Sequence, residues 1–205
     1  EYRALLGQAY LISGRFASAS TALKDSLCLS PGDGKVALNL ALAQIAEGDW
    51  QGARTTLDSN SGSISVSDRG LAMALAGDPA AGIEILLPAA RAPDADAKTR
   101  QNLALALALA GRWPEARQVA MADLSPADAD ARIVQWASFA RPVAASDQVS
   151  ALLGVTPVAD AGLPVQLALV AAPVQVADVA PAEASPEPVA VAEAEFAPRF
   201  NAEAC

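Results

Sequence analysis

Lys35 and Asn39 stand four residues apart, and Lys98 and Asn102 repeat the pair 63 residues later. On a helix that spacing stacks both side chains on one face, so each pair offers an ammonium and an amide together. Such donors suit the carboxylates and carbonyls of an acidic or extended peptide. The alternative is that the asparagines bond neighbouring backbone and the lysines stand in solvent. Catalytic combinations are scarce. The chain of 205 residues has no histidine, which removes the commonest general base, the Ser-His-Asp and Cys-His arrangements, and most zinc sites. Gly32-Asp33-Gly34-Lys35 could end a phosphate loop, but Leu29 stands where the first glycine belongs and Val36 where the Ser or Thr belongs. It reads instead as a turn with Asp33 near a helix start. Cys28 and Cys205 fit no metal or redox spacing, and Cys28, in an apolar helical stripe, reads as a buried free thiol. No enzymatic activity, cofactor or metal is expected.

The elements that must position these side chains declare themselves by repetition. The segment from Gly34 to Arg54 recurs from Ala97 to Arg117, with Gly48 matched to Gly111 and Trp50 to Trp113. Gly14, Gly48, Gly77 and Gly111 follow one another at intervals of 34, 29 and 34 residues. A fixed period in this range is the signature of stacked helix–turn–helix units. About a quarter of the chain is alanine and 4% is aromatic, which favours helices over strands. Leu103 to Leu109 alternates Leu with Ala like a strand, but a helix packed between two neighbours also needs two apolar faces, and helix is the reading adopted. Gly7 and Ala19 belong where paired helices cross closely, Gly14 caps the first helix, and Trp50 and Trp113 are expected to pack in the core. Pro126 to Phe139 reads as a capping helix, and Gln148 to Leu153 as a short helix stopped by Gly154.

Leu6-Gly7, Tyr10, Gly14-Arg15-Phe16, Ala19, Leu23 and Pro31 resemble the tetratricopeptide repeat, with Arg3 in place of its leading tryptophan. The resemblance implies an all-α, right-handed α-solenoid of about four helix pairs, built to bind proteins. In such proteins the first helix of each pair lines a concave groove. By that likeness the partner groove comprises Lys35, Leu38, Asn39, Leu42, Lys98, Gln101, Asn102 and Leu105. A subclass that grips a peptide's C-terminal carboxylate has Lys and Asn where this chain has Ala4 and Gln8; only Asn39 matches it.

The run from Asp96 to Arg112, with Ala116 and Asp123-Leu124-Ser125-Pro126, is similar to the last repeat of bacterial tight-adherence (Tad/Flp) pilus-assembly proteins. Ser146 to Val155 and Asp160 to Pro164 are similar to a group in which such repeats and a Pro/Ala linker precede a peptidoglycan-binding SPOR domain. These likenesses imply a scaffold in the bacterial cell envelope, periplasmic or attached to the outer membrane. The alternative is the interaction and linker region of a glycan-binding protein, with peptidoglycan held by a region beyond Cys205.

Charge and proline mark the expected boundaries. The net charge is −9, of which −7 falls from Pro142 onward, together with eight of the 14 prolines. No basic stripe with interleaved aromatics suggests nucleic acid, and no apolar run has the roughly 20 residues of a membrane span. The expected organisation is a solenoid over 1–141, a short helix and extended segment over 142–170, and an acidic, disordered Pro/Ala/Val-rich tail over 171–205. Residues 1–140 are expected to fold without 156–205.

Overall fold

The computed structural model describes residues 2–163; the expected tail lies outside them. The chain divides into two units, Glu1–Leu169 and Val170–Cys205. The described residues form an α-solenoid whose helices are α1 (Tyr2–Ile12), α2 (Phe16–Leu29), α3 (Gly34–Glu47), α4 (Trp50–Ser59), α5 (Val66–Leu75), α6 (Pro79–Arg91), α7 (Ala97–Leu109), α8 (Trp113–Ala120), α9 (Pro126–Phe139) and α10 (Ala145–Leu153).

Each of the first four pairs closes on a glycine. Gly14, Gly48, Gly77 and Gly111 all take φ between 74° and 82°, the left-handed conformation that a side chain resists. This is why a glycine stands at each turn. Aspartates then start two of the four following helices: Asp49 accepts from the Gly52 amide and Asp78 from the Ala81 amide, filling donors a helix start leaves open. Asp33, expected near a helix start, caps α3 by accepting from Lys35 and Val36.

Within pairs the helices cross at small residues. A Cβ placed on Gly7 would stand 2.5 Å from Leu23 Cγ, and one on Gly70 would stand 2.5 Å from Leu86 Cγ. Leu23, Ala53, Leu57, Leu86 and Ala116 are fully buried. The alternating segment is helical, and Leu103, Leu105 and Leu107 are all buried. Because α7 packs against α5, α6, α8 and α9 at once, its apolar side chains surround it.

Two expectations need correction. Trp50 is 49% exposed: it leans over the α5–α6 turn beside Gly77, where Arg54 also donates to the Ala76 carbonyl at 2.6 Å. The pair covers a turn instead of filling a core, whereas Trp113 packs half-buried against the second apolar cluster. Cys28 is half-buried rather than buried.

Past α9, the exposed stretch from Arg141 to Ala144 turns the chain back. Helix α10 packs chiefly on α3 and only lightly on its neighbour α9. Its residue Val149 is fully buried in the core of the first two pairs, joined there by Leu153 and Val155.

Candidate partner-binding face

The first helices of the pairs form one layer, with α3 against α1 and α5, and α5 against α7. The expected groove residues lie on α3 and α7 of this layer. A cleft of about 210 Å³ gathers four of them, Leu38, Leu42, Lys98 and Asn102, with Asp68, Leu71 and Leu75 of α5 and Leu152 of α10. Lys35, Asn39, Gln101 and Leu105 do not line it. Lys35 is exposed, Asn39 half-buried and Leu105 buried. Gln101 turns toward α8, its amide 3.3 Å from the Ala120 carbonyl and 3.4 Å from Asp123.

The donors on α7 are already engaged. Lys98 Nζ lies 2.6 Å from Asp68, and Asn102 donates to the Ser67 hydroxyl and carbonyl at 3.0 and 3.2 Å. These bonds tie α7 to the start of α5. Burial pushes the Asp68 carboxyl up, but the bonds from Lys98 and Ser65 and the Lys98 charge outweigh burial and the nearby Asp96, so its pKa lies below the ordinary value. A partner carboxylate reaching Lys98 would therefore compete with Asp68, whereas Lys35 and Asn39 on α3 have no such partner among the bonds described.

A larger cleft of about 380 Å³ lies across α6, α7 and α8, lined by Leu103, Leu107, Arg100 and Arg112 among others. It holds none of the expected groove residues. Two of its three arginines are ion-paired, Arg100 with Asp123 and Arg112 with Glu115, while Arg91 has no ion pair among the described residues. Volume alone does not favour it as a recognition site.

One residue escaped the sequence reading. Helix α2 has Arg15 at its N-cap, and no side-chain cap from it. The vacant place is filled by Asp160, which accepts from the Ser18 amide and hydroxyl at 2.7 Å each, and from Arg15 and the Gly162 amide at 3.2 and 3.1 Å. Ser18 holds in α2 the third position that Gly52 and Ala81 hold in α4 and α6, so a distant aspartate does what Asp49 and Asp78 do locally. Arg15 is stacked on the Tyr10 ring at 4.6 Å, and the Val158 amide donates to the Gly14 carbonyl at 3.1 Å. A Cβ on Gly14 would collide with the Thr156 carbonyl. The cap column reads Arg15, Asp49, Asp78, Arg112, but α8 also starts on an arginine and has no side-chain cap, so the missing acid alone does not name Asp160.

Comparison with known proteins bears on the repeats. Residues 3–59 match a tetratricopeptide repeat family model, and residues 99–120 match a second. No curated protein and no solved structure matches the chain. Tetratricopeptide repeats bind protein partners and are in general non-catalytic, so these segments point to a protein–protein interaction scaffold. Neither match concerns the pilus-assembly or SPOR likeness. Among the described residues no helix is long and apolar enough to cross a membrane.

Proposed function

We propose that this chain is a non-catalytic scaffold of a bacterial envelope assembly, of the tight-adherence pilus type, that holds a protein partner on its layer of first helices. The observation that carries the reading is the cleft between α3, α5 and α7, where Leu38 and Leu42 meet Lys98 and Asn102. Its walls are leucines and its rim is charged, as a peptide-binding cleft requires. The envelope assignment rests on the resemblance of residues 96–126. Lys35 and Asn39 extend the donor surface along α3, whereas Gln101, turned toward α8, and Leu105, buried, take no part in it.

The test is capture from a bacterial envelope extract by the wild-type chain and by two double variants, Lys35→Ala with Asn39→Ala and Lys98→Ala with Asn102→Ala. The first pair is expected to lose partner with unchanged melting, at a cost of about 1.5–3 kcal/mol of binding for each charge-assisted bond removed. The second loses partner and some stability, because it also unties α7 from α5. Capture should weaken as salt rises, since exposed charges are screened over roughly 10 Å at 0.1 M. An identical partner set at identical yield from all three chains would remove this face from the account.

A further inference from the structure

Helix α10 lies on α3 of the layer that the partner reading assigns to others, and one of its inward residues fits poorly. It reaches α3 across an exposed hinge, Arg141 to Ala144, and makes most of its contacts with a helix about a hundred residues earlier in the chain rather than with α9. Ser150 faces inward with its hydroxyl buried, and that oxygen finds no hydrogen-bond partner among the described residues. A buried hydroxyl without a partner opposes docking. At the last turn Leu152 stays 41% exposed and borders the open 210 Å³ cleft instead of filling it. Besides the burial of Val149, the segment is held at its far end, in the Asp160 bonds to Ser18, Arg15 and Gly162 and the Val158 bond to Gly14. A helix with one ill-fitting buried residue, closed over its site by a polar clasp, is the construction of an occupant that can be exchanged.

We propose that α10 is a built-in competitor for the chain's own binding face, and that the face on α3 and α5 is made for an amphipathic helix of a partner protein, apolar where α10 carries Val149 and Ser150 and bulkier where it carries Leu152. The inference rests on the reading of the first-helix layer as the partner face and names the class of partner. A helix with an apolar residue at the Ser150 place buries no unpaired hydroxyl, and a larger side chain at the Leu152 place fills the cleft between Leu71, Leu75 and the Lys98–Asp68 pair. Such a helix outcompetes α10 once the clasp opens. While the clasp is shut, the free fraction of the face is small and the apparent affinity for any outside helix falls in proportion.

The experiment uses the full chain and a fluorescent peptide with the sequence of residues 142–163. Wild-type chain and Asp160→Ala are titrated against it by anisotropy, with circular dichroism confirming that both are folded. The variant is expected to bind on the order of tenfold more tightly, because losing the clasp raises the open fraction. In competition, an unlabelled peptide with Ser150→Ala should displace the probe at lower concentration than the native peptide, and one with Val149→Asp should not displace it. If Asp160→Ala does not fold, Arg15→Gln opens the ion pair while leaving the amide cap, and the same comparison applies. Equal binding by wild type and variant, or none by a folded variant, would make α10 a permanent part of the core and overturn the proposal. A wild-type chain that dimerises with concentration would make a second copy the occupant and overturn the assignment to a partner protein. Failure of envelope capture with peptide exchange intact would remove the envelope reading alone.

Discussion

Asp160 illustrates how much one carboxylate can carry when its bonds converge. Burial pushes its pKa up, yet the bonds from the Ser18 amide and hydroxyl, the Gly162 amide and Arg15 outweigh burial and hold it below the ordinary 3.8. The other charge facing it is Glu47 of α3. Burial pushes Glu47 above its ordinary 4.5, with Asp49 and Asp160 adding to the rise and the Ser20 bond opposing it. The two carboxyls therefore act in opposite directions. A group whose folded pKa is depressed stabilises fully above its unfolded value and loses that contribution as pH falls through the folded one. Glu47, raised on folding, favours the folded chain as it becomes protonated. Melting temperature should thus hold level or rise slightly as pH falls from 7 into the range just above 4.5, then drop below 3.8. Asp160→Ala should cost about 1–3 kcal/mol at neutral pH, combining a lost cap and charge-assisted bonds. The difference between variant and wild type should shrink below pH 3.8. A gap that stays constant down to strongly acidic pH would show that the carboxylate charge has no part in the clasp.

At the scale of elements the small-residue crossings set the packing. Gly70→Ala would bring its Cβ to within 2.5 Å of Leu86 Cγ, a close approach that must push apart α5 and α6. The expected loss is about 1–3 kcal/mol, measured by denaturant unfolding, and Gly7→Ala should behave alike against Leu23. An unchanged midpoint for both would mean that neither leucine is held in place. These crossings were legible in the sequence because a helix pair leaves a periodic trace of small residues, left-handed glycines and capping acids, and Pro126–Phe139 could be bounded to the residue by Ser125 and its proline. The turn tryptophan Trp50 was not legible, since its repeat position is the same whether it fills a core or covers a turn. The extent of α10 was read three residues short, because Ser146 and Asp147 read as cap residues rather than helix interior. Its docking place could not be read at all. Apolar spacing says that a helix has a face to bury, and says nothing of which distant helix receives it. The same limit applies to the cleft: Lys98 and Asn102 were found by their spacing, while their engagement with Ser67 and Asp68 depends on how two pairs stack.

For the molecule as a whole, residues 142–163 make the folded unit longer than its repeats. A chain ending after residue 163 should keep its helical signal and a single cooperative melt. One ending after residue 141 loses the full burial of Val149, which contributes about 1.5–3 kcal/mol, with the partial burial of Leu153 and Val155, and should melt earlier by at least that much. Equal melting of the two would show that the repeats stand alone and would leave α10 with no structural weight.

The bond between Ser18 and Asp160 joins residues 142 apart in sequence, and that separation changes how such a chain folds. An open array of repeats holds only neighbour contacts, so it can nucleate anywhere and fray from either end. Here the segment after α10 is tied back to the α1–α2 turn. The clasp closes a very long loop, at an entropic cost that is met only after the intervening repeats have formed, and contacts of this range slow folding. Amides of α1 and α2 should consequently exchange with solvent in step with those of α10, as one cooperative unit, and refolding should end with a late phase that Asp160→Ala abolishes. The tie also fixes the count of repeats. A helix pair gained or lost between α2 and α10 would carry Asp160 out of reach of Ser18, so the number of links is written into the structure, as it never is in a stack left open at both ends.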